Sequence, residues 1–315
     1  MRIFHAAGLV VIGLSLLAVQ AQAATHDTPS RSQIIKESKP AEWHALDPAD
    51  TLYMYLPKGI VVIDLAPSWS PRHVANLKTL VREHYFDGTS VYRVVDNFVV
   101  QWGDPDAGKP NAKSMGEAKK TLPPEFERRV TPSMPFVKLD SPDAYAPEVG
   151  LSGDFPVGVD PTTHTAWIAH CYGTVGVSRD VALDSGNSNT LYAVIGTARR
   201  IDRNLAVVGR IVQGMPLLSS LPRGPGDSMG VYHDMKKATP ILRVRLASEV
   251  PKNQRLPLEI LDTGSATFHR LVQAAAHRHD AFYRTPLGHI GLCAALPPVR
   301  LAPGAKEKAA STTGK

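Results

Sequence analysis

The chain has 315 residues, of which 43% are hydrophobic and 20% are charged. This composition is ordinary for a globular protein, and the length suffices for one large domain or for one domain with additions. The net charge is +6 and the isoelectric point is near 9.3. Because the basic residues are spread along the chain, with no basic run interleaved with aromatic residues, we do not expect a nucleic-acid partner.

The N-terminal residues have the layout of a secretory signal peptide. Arg2 precedes an apolar stretch from about residue 6 to residue 19, and Ala21-Gln22-Ala23 supplies small residues for cleavage. A membrane anchor or a buried helix is the alternative, but the apolar core is short for a span of roughly 20 residues. No cysteine follows the apolar run, so a bacterial lipid anchor is not expected. The sequence predicts a signal peptide over residues 1–23 and a periplasmic or secreted mature protein without a membrane span.

The next segment is predicted to contain a polar linker or arm over residues 24–47, then two strands and a helix. Strand-like runs at 51–57 and 59–67, the second of them rich in β-branched residues, predict the strands. Ser70-Pro71 is a helix start signal. Apolar residues then recur at helical spacing over residues 74–81, which predicts an amphipathic helix packed on a core.

The rest of the chain shows many short strands and few helices. Residues 106–165 are rich in Pro, Gly, Lys and Asp and fit short strands and loops. Further strands are predicted at 166–177, 189–196, 205–212 and 241–247, and helices at 214–222 and 265–283. Residues 301–315 have little to bury, so a disordered tail is expected. This pattern favours an antiparallel barrel or sandwich and does not choose between them.

Motifs for other chemistries are weak. Residues 226–230, GDSMG, match the G-x-S-x-G motif of hydrolases, but no strand precedes this Gly/Pro-rich loop, so chance is favoured over Ser228 as a nucleophile. His277 and His279 are two residues apart on a predicted helix and would point to different faces. The chain has no HExxH, CxxC or glycine-rich phosphate loop, so we expect no metal and no cofactor.

Only two cysteines occur in the chain, Cys171 and Cys293. In an oxidising compartment they could form one disulfide that ties a late segment to the main body. Two buried free thiols are the alternative, and the sequence does not decide between them.

A family resemblance is carried by residues 84–105, HYFDGTSVYRVVDNFVVQWGDP. This stretch is similar to the signature of the cyclophilin family of peptidyl-prolyl isomerases. The residues that fall in register without a gap are Tyr85, Asp87, Gly88, Thr89, Arg93, Val94, Phe98, Gln101, Gly103, Asp104 and Pro105. Weaker similarity continues in residues 66–80, 124–126 and 207–218 and around Tyr192. The resemblance covers roughly residues 50–247, with an enlarged insert between Asp104 and Ala166.

The resemblance implies a mainly β fold, namely a closed antiparallel eight-stranded barrel capped by two helices. We therefore expect a cyclophilin-like domain over residues 48–250. A C-terminal extension with a helix would follow over residues 251–300, before the disordered tail at 301–315.

The resemblance also implies a catalytic site. Arg93 would stabilise the twisted amide of an X-Pro bond, with Gln101 in support; a local ion pair is the alternative role for Arg93. The residues expected to contact the substrate are Phe98, Val99 and Tyr192 in the proline pocket, Leu205 at its rim, and Ala169 and His170 beside the residue before proline.

The pocket rim departs from the family pattern. Arg200 stands where many members have a tryptophan, Leu205 replaces a histidine, and His170 replaces an asparagine. Tyr192 replaces a phenylalanine and Val99 a methionine. These changes leave the peptide preference and the sensitivity to cyclosporin-type drugs open.

The expected function is peptidyl-prolyl cis-trans isomerisation on X-Pro bonds of exported proteins. Its partners would be proline-containing or unfolded polypeptides, and the protein would act as a monomer. The alternative is a non-catalytic binding or chaperone module that holds proline-containing segments of envelope proteins. The retained Arg93 favours the enzyme, whereas the altered rim and the large insert favour the binding module.

Overall fold

A computed structural model describes residues 28–305. The predicted signal peptide, the first residues of the predicted arm (24–27) and most of the predicted tail (306–315) lie outside the described residues. Within residues 28–305, the helices are too short or too polar to cross a membrane.

Strands make up most of the regular structure, and the helices are few and short. The α-helices are α1 (Arg31–Lys36), α2 (Pro71–Arg82), α3 (Pro216–Ser219) and α4 (Ala266–Ala276). The strands are β1 (Trp43–Ala45), β2 (Thr51–Leu56), β3 (Gly59–Leu65), β4 (Ser90–Val94), β5 (Val99–Gly103), β6 (Arg128–Arg129), β7 (Val137–Leu139), β8 (Glu148–Ser152), β9 (Phe155–Asp160), β10 (Thr165–Ile168), β11 (Thr174–Val177), β12 (Thr190–Val194), β13 (Val207–Gln213), β14 (Thr239–Pro240), β15 (Arg243–Leu246), β16 (Leu258–Leu261) and β17 (Val299–Leu301).

Nine strands form one antiparallel sheet, called here the large sheet, in the order β14-β4-β5-β12-β11-β13-β3-β2-β15. The two edge strands are consecutive in the chain, with Ile241 and Leu242 between them. The amide of Ile241 donates to Thr89 (2.8 Å) at one edge, and that of Leu242 donates to Tyr55 (2.9 Å) at the other, so the sheet is curled. The mainly β architecture is confirmed, but the strand order is linear, and the closed eight-stranded barrel is not confirmed.

The main core lies inside the curl of the large sheet. Leu77 on α2, Trp102 on β5 and Leu218 on α3 are almost fully buried in the same apolar cluster. Burying one such leucine side chain contributes about 1.5–3 kcal/mol, so α2 and α3 are held mainly by this face.

The N-terminus of α2 differs in one detail from the start predicted from Ser70-Pro71. Pro71 is the first helical residue, as predicted, but Ser70 makes no capping bond, and its hydroxyl donates to the carbonyl of Val207 (2.7 Å). The carboxylate of Glu125 accepts instead from the backbone amide of His73 (3.0 Å). A residue from the insert therefore caps this helix, and the adjacent N-terminal dipole favours its negative charge.

Two smaller sheets flank the large sheet. The insert sheet has the order β6-β10-β9-β8-β7, in line with the short strands predicted for residues 106–165. The terminal sheet has the order β1-β16-β17, so the segment predicted as an arm pairs with C-terminal residues. The helix predicted over 265–283 ends at Ala276, and Leu301 belongs to a strand although it was assigned to the tail.

Cys171 and Cys293 form a disulfide, with 5.1 Å between their Cα atoms. The bond joins the segment after β10 to the 3-10 turn at Leu292–Ala294. It ties the C-terminal residues to the segment that carries Ala169 and His170.

Candidate active site

The hairpin of β4 and β5 carries the two residues expected to act on the substrate. Arg93 lies opposite Gln101 in the strand register, and Nη1 of Arg93 donates to Oε1 of Gln101 (2.8 Å). Nε2 of Gln101 donates in turn to the hydroxyl of Tyr92 (2.7 Å). The connecting turn places Asn97 in the left-handed region (φ 48°), which asparagine tolerates better than most residues.

Arg93 is also held by the loop that follows α3. Its Nε donates to the backbone carbonyl of Met229 (2.8 Å), a residue in the left-handed region (φ 52°). The sequence gives no indication of this contact, because a backbone carbonyl leaves no side-chain signal. Among the described residues no carboxylate pairs with Arg93, so the local ion pair finds no support. Burial lowers the pKa of Arg93, yet a guanidinium remains charged at neutral pH.

An open pocket of about 510 Å³ lies beside this hairpin. Six of the predicted site residues line it, namely Arg93, Phe98, Val99, Gln101, Tyr192 and Leu205. Val99 and Tyr192 are almost fully buried and pack in one apolar cluster with the partly exposed Phe98 and Leu205. An apolar floor beside a fixed guanidinium suits a proline ring whose amide faces the arginine.

The hydroxyl of Tyr192 has a hydrogen-bond partner behind the pocket. It lies 2.8 Å from Nε2 of His170, whose Nδ1 lies 2.9 Å from Oδ1 of Asp202. Gly176, opposite Tyr192 in the register, leaves the necessary space, because a Cβ there would lie 2.2 Å from this hydroxyl. Burial raises the pKa of Tyr192 well above its usual value, so the phenol stays neutral and its ring serves as an apolar surface.

Asp202 links the contact between Tyr192 and His170 to the insert. Burial alone would raise the pKa of its carboxyl, but the hydrogen bond from His170 and the charge of Arg199 outweigh burial and lower it. Nε of Arg199 donates to Asp202 (2.5 Å), and its two Nη atoms donate to Asp143 in the insert (2.9 and 3.0 Å). A chain of polar contacts therefore runs from the insert to the floor of the pocket.

Ala169 and His170 do not line the pocket, although both were expected to contact the substrate. Their exposed fractions are 0% and 1%, and both ring nitrogens of His170 are bonded. Fully buried residues offer no surface to a peptide, so the structure places His170 in a different position, as the support of Tyr192.

Two further arginines lie around the pocket. The guanidinium of Arg200 stacks 4.0 Å from the ring centroid of Phe98, and its Nη1 donates to the carbonyl of Thr197 (3.1 Å). Arg179 lines the pocket itself, whereas Arg200 only contacts Phe98, and Nε of Arg179 donates to the carbonyl of Asn204 (3.0 Å). The exposed Arg200 thus covers Phe98, one of the residues predicted to form the proline pocket.

The remaining sequence candidates do not form sites. Ser228 ends a short 3-10 turn with no strand before it, and its hydroxyl donates to the carbonyl of Val231 (2.5 Å), so no nucleophile elbow is formed. Over residues 28–305, which include His277 and His279, no group of three or more His, Cys, Asp or Glu residues is placed to hold a metal ion.

Comparison with known proteins assigns the family. Residues 51–246 match the family model described as "Cyclophilin type peptidyl-prolyl cis-trans isomerase/CLD". The chain therefore belongs to the cyclophilin family of peptidyl-prolyl isomerases, which confirms the resemblance found in residues 84–105. The assignment also makes the chain an enzyme of the isomerase class, as expected from the sequence.

Relatives with sequence or structural similarity agree with this assignment. Probable peptidyl-prolyl cis-trans isomerases from Brucella suis biovar 1 (strain 1330) and Brucella abortus (strain 2308) are each 27% identical over 200 residues, which cover 61% of this chain and 82% of each relative. The crystal structure of cyclophilin AquaCyp293 from Hirschia baltica matches with a TM-score of 0.68 at 21% identity, covering 87% of this chain and 97% of that chain. This likeness confirms the cyclophilin-like fold and extends beyond the residues matched by the family model.

Proposed function

We propose that the chain isomerises X-Pro bonds of exported proteins and that Arg93 stabilises the twisted amide. The observation that carries this proposal is the placement of the Arg93 guanidinium, which Gln101 and Met229 hold beside the apolar floor of the pocket. Among the described residues, Nη2 of Arg93 has no hydrogen-bond acceptor. That nitrogen is therefore available to a substrate.

The chemistry requires only a surface that fits the twisted amide. Rotation about the C–N bond faces a barrier of about 18–20 kcal/mol, because the planar amide is conjugated. In the twisted state the prolyl nitrogen regains its lone pair, and a guanidinium can donate to this nitrogen or to the carbonyl oxygen. Phe98, Val99 and Tyr192 would hold the ring while the bond turns. Binding the twisted state more tightly than either planar isomer lowers the barrier.

The proposal is tested by measuring cis-trans exchange in a panel of X-Pro peptides by NMR. We expect Arg93→Ala to lower kcat/KM about 100-fold, as the loss of a fixed donor to a transition state typically does. The kcat/KM of Arg93→Lys should lie between those of the wild type and Arg93→Ala, because an ammonium keeps the positive charge but loses the planar arrangement of donors. Equal acceleration by wild type and Arg93→Ala would remove Arg93 from the mechanism.

The same panel separates the enzyme from the non-catalytic binding module. A wild-type protein that shifts the resonances of proline peptides without accelerating exchange would be the binding module. The circular dichroism melting curves of the Arg93 variants provide the control, since a folded variant must unfold at about the wild-type temperature.

We propose that the protein acts outside the cytosol, as a monomer on unfolded polypeptides. The signal-like pattern of residues 1–23 supports this location, and so does the Cys171–Cys293 bond, since disulfides persist mainly in oxidising compartments. Residues 1–30 fused to alkaline phosphatase should give phosphatase activity that is lost when residues 2–23 are deleted. Equal activity of both fusions would contradict export, and a dimeric mass in light scattering would contradict the monomer.

We also propose that the large sheet closes into a barrel through residues 239–246. The hydrogen bonds from the amides of Ile241 and Leu242 to opposite edges support closure. Both amides should resist hydrogen exchange as strongly as those of β5. Exchange as fast as in the loop at residues 226–230 would contradict closure.

A further inference from the structure

Among the described residues Arg200 has no carboxylate partner, although several other arginines do. Arg199, Arg245 and Arg300, for example, each pair with an aspartate or a glutamate at 2.5–2.9 Å. Arg200 is exposed and bonded to one backbone carbonyl, and its guanidinium is held against the ring of Phe98. It is therefore a positioned cation with free donors beside Phe98, which lines the pocket.

The carboxylates near Arg200 in the fold have partners of their own. Asp96, in the turn before Phe98, pairs with Arg223 (2.9 Å). Asp202, two residues after Arg200, is buried and pairs with Arg199 and His170. The positive charge of Arg200 is thus left for a group outside the chain, and the overall charge of +6 adds long-range attraction for an acidic ligand.

In the rest of the pocket, the positive and negative side chains are closer to equal in number. Asp104 lines it but is 6% exposed, and its carboxylate accepts from the backbone amides of Asp106 (3.0 Å) and Lys113 (2.7 Å). At the other end, Arg179 lines the pocket together with the exposed Asp180. Arg93 also has no carboxylate partner in the described part of the chain, but Gln101 and Met229 accept from two of its nitrogens. The exposed unpaired charge next to the place proposed for the proline ring is therefore that of Arg200 at Phe98.

We propose that the preferred substrates are X-Pro segments with an acidic side chain close to the proline, and that Arg200 is the residue that selects them. This inference rests on the proposed binding of proline beside Phe98. A carboxylate placed within reach of Arg200 would form a bidentate pair with a guanidinium that is already ordered by stacking, so little side-chain entropy is lost. A tryptophan at the same position would offer an aromatic surface and one N–H donor but no charge.

The test uses matched peptides in which Glu, Gln or Lys is placed in turn at each of the two residues before the proline and each of the two residues after it. We expect kcat/KM in the order Glu, Gln, Lys at one of these positions, with Glu over Gln about fivefold at low salt. The preference should weaken as ionic strength rises, because the pair is exposed. The measured quantity is the ratio between Glu and Gln peptides, which cancels any general loss of activity.

Four variants complete the test. Arg200→Glu should invert the ratio, Arg200→Trp should bring it to about one, and Arg200→Lys should keep part of it. Arg129→Glu, at an exposed arginine on β6 of the insert sheet, is the matched control for net charge and should keep the wild-type ratio. Equal kcat/KM for Glu and Gln peptides at every position would overturn the proposal while leaving the isomerase intact. If no peptide is turned over, the order of Kd for the same peptides decides, and equal Kd for Glu and Gln would overturn it.

Discussion

Nη1 of Arg93 lies 2.8 Å from Oε1 of Gln101, and the two residues face each other across the β4–β5 hairpin. Gln101 is itself oriented by its bond to Tyr92, so its carbonyl is fixed toward the guanidinium. A hydrogen bond to a charged group contributes about 1.5–3 kcal/mol. We expect Gln101→Ala to lower kcat/KM at least tenfold, measured by NMR exchange. If Gln101 acts through Arg93, the substitution should have no further effect in an Arg93→Ala background, and an equal loss in both would contradict this role.

The bond between Tyr192 and His170 predicts a loss of stability without a loss of catalysis. Tyr192→Phe keeps the apolar ring but leaves Nε2 of His170 buried without a partner. The free energy of unfolding in urea should fall by about 1–3 kcal/mol, while kcat/KM changes less than about twofold. A tenfold fall in kcat/KM at unchanged stability would instead mean that the hydroxyl acts in the pocket.

The disulfide predicts a stability that depends on redox conditions. Its cysteines are 122 residues apart, and closing a loop of this size stabilises a fold by roughly 2–4 kcal/mol. Replacing Cys171 and Cys293 together by serine should lower the free energy of unfolding by that amount. Dithiothreitol should bring the wild type to the level of the variant and leave the variant unchanged. A wild type whose unfolding curve is insensitive to reductant would contradict the prediction.

Asp64 and Arg210 predict a specific dependence of stability on pH. They face each other on β3 and β13, and Oδ2 of Asp64 and Nε and Nη2 of Arg210 are buried without hydrogen-bond partners. Burial, and then the charge of Asp154, raise the pKa of Asp64 from 3.8 to about 7 despite the opposing charge of Arg210. Between these two values the folded protein keeps a proton that the unfolded chain has released, so this residue makes stability fall as pH rises.

Asp64→Asn isolates that contribution. The free energy of unfolding of the wild type minus that of the variant should fall from about pH 4 to about pH 7, by at most about 1.4 kcal/mol per pH unit, and stay constant above. Urea unfolding at a series of pH values measures both proteins, and the difference cancels the other titrating groups. A difference that does not change with pH would show that the carboxyl titrates in its ordinary range.

Much of the hairpin could be predicted because its determinants are local. Asp96-Asn97 is a plausible turn, and the eight-residue separation of Arg93 and Gln101 predicts a hairpin that brings both side chains near each other; the structure pairs these two residues across β4 and β5. The start of α2 at Pro71 was also predictable from the chain itself. The residue that caps α2 could not be predicted, because Glu125 is far from the helix in sequence. The hydroxyl of Ser70 donates instead to the carbonyl of Val207.

The errors concern residues whose environment is assembled from distant segments. His170 was assigned to the substrate, but contacts with Tyr192 and Asp202 bury it. Residues 24–47 were expected to be a linker or arm, and within them β1 pairs with β16 more than 200 residues later. Neither contact leaves a pattern in its own stretch of sequence, since each needs a partner that only folding brings near.

The sequence by itself determined the family, the strand-rich architecture and the hairpin with Arg93 and Gln101, because strand periodicity, turn residues and the spacing of a signature are properties of neighbouring residues. Tertiary structure alone decided that the carbonyl of Met229 holds Arg93, that Cys171 reaches Cys293, and that Arg200 stacks on Phe98 without a carboxylate partner. These contacts join residues about 100 or more positions apart. Their energies depend on the distance and burial that the packed sheets impose.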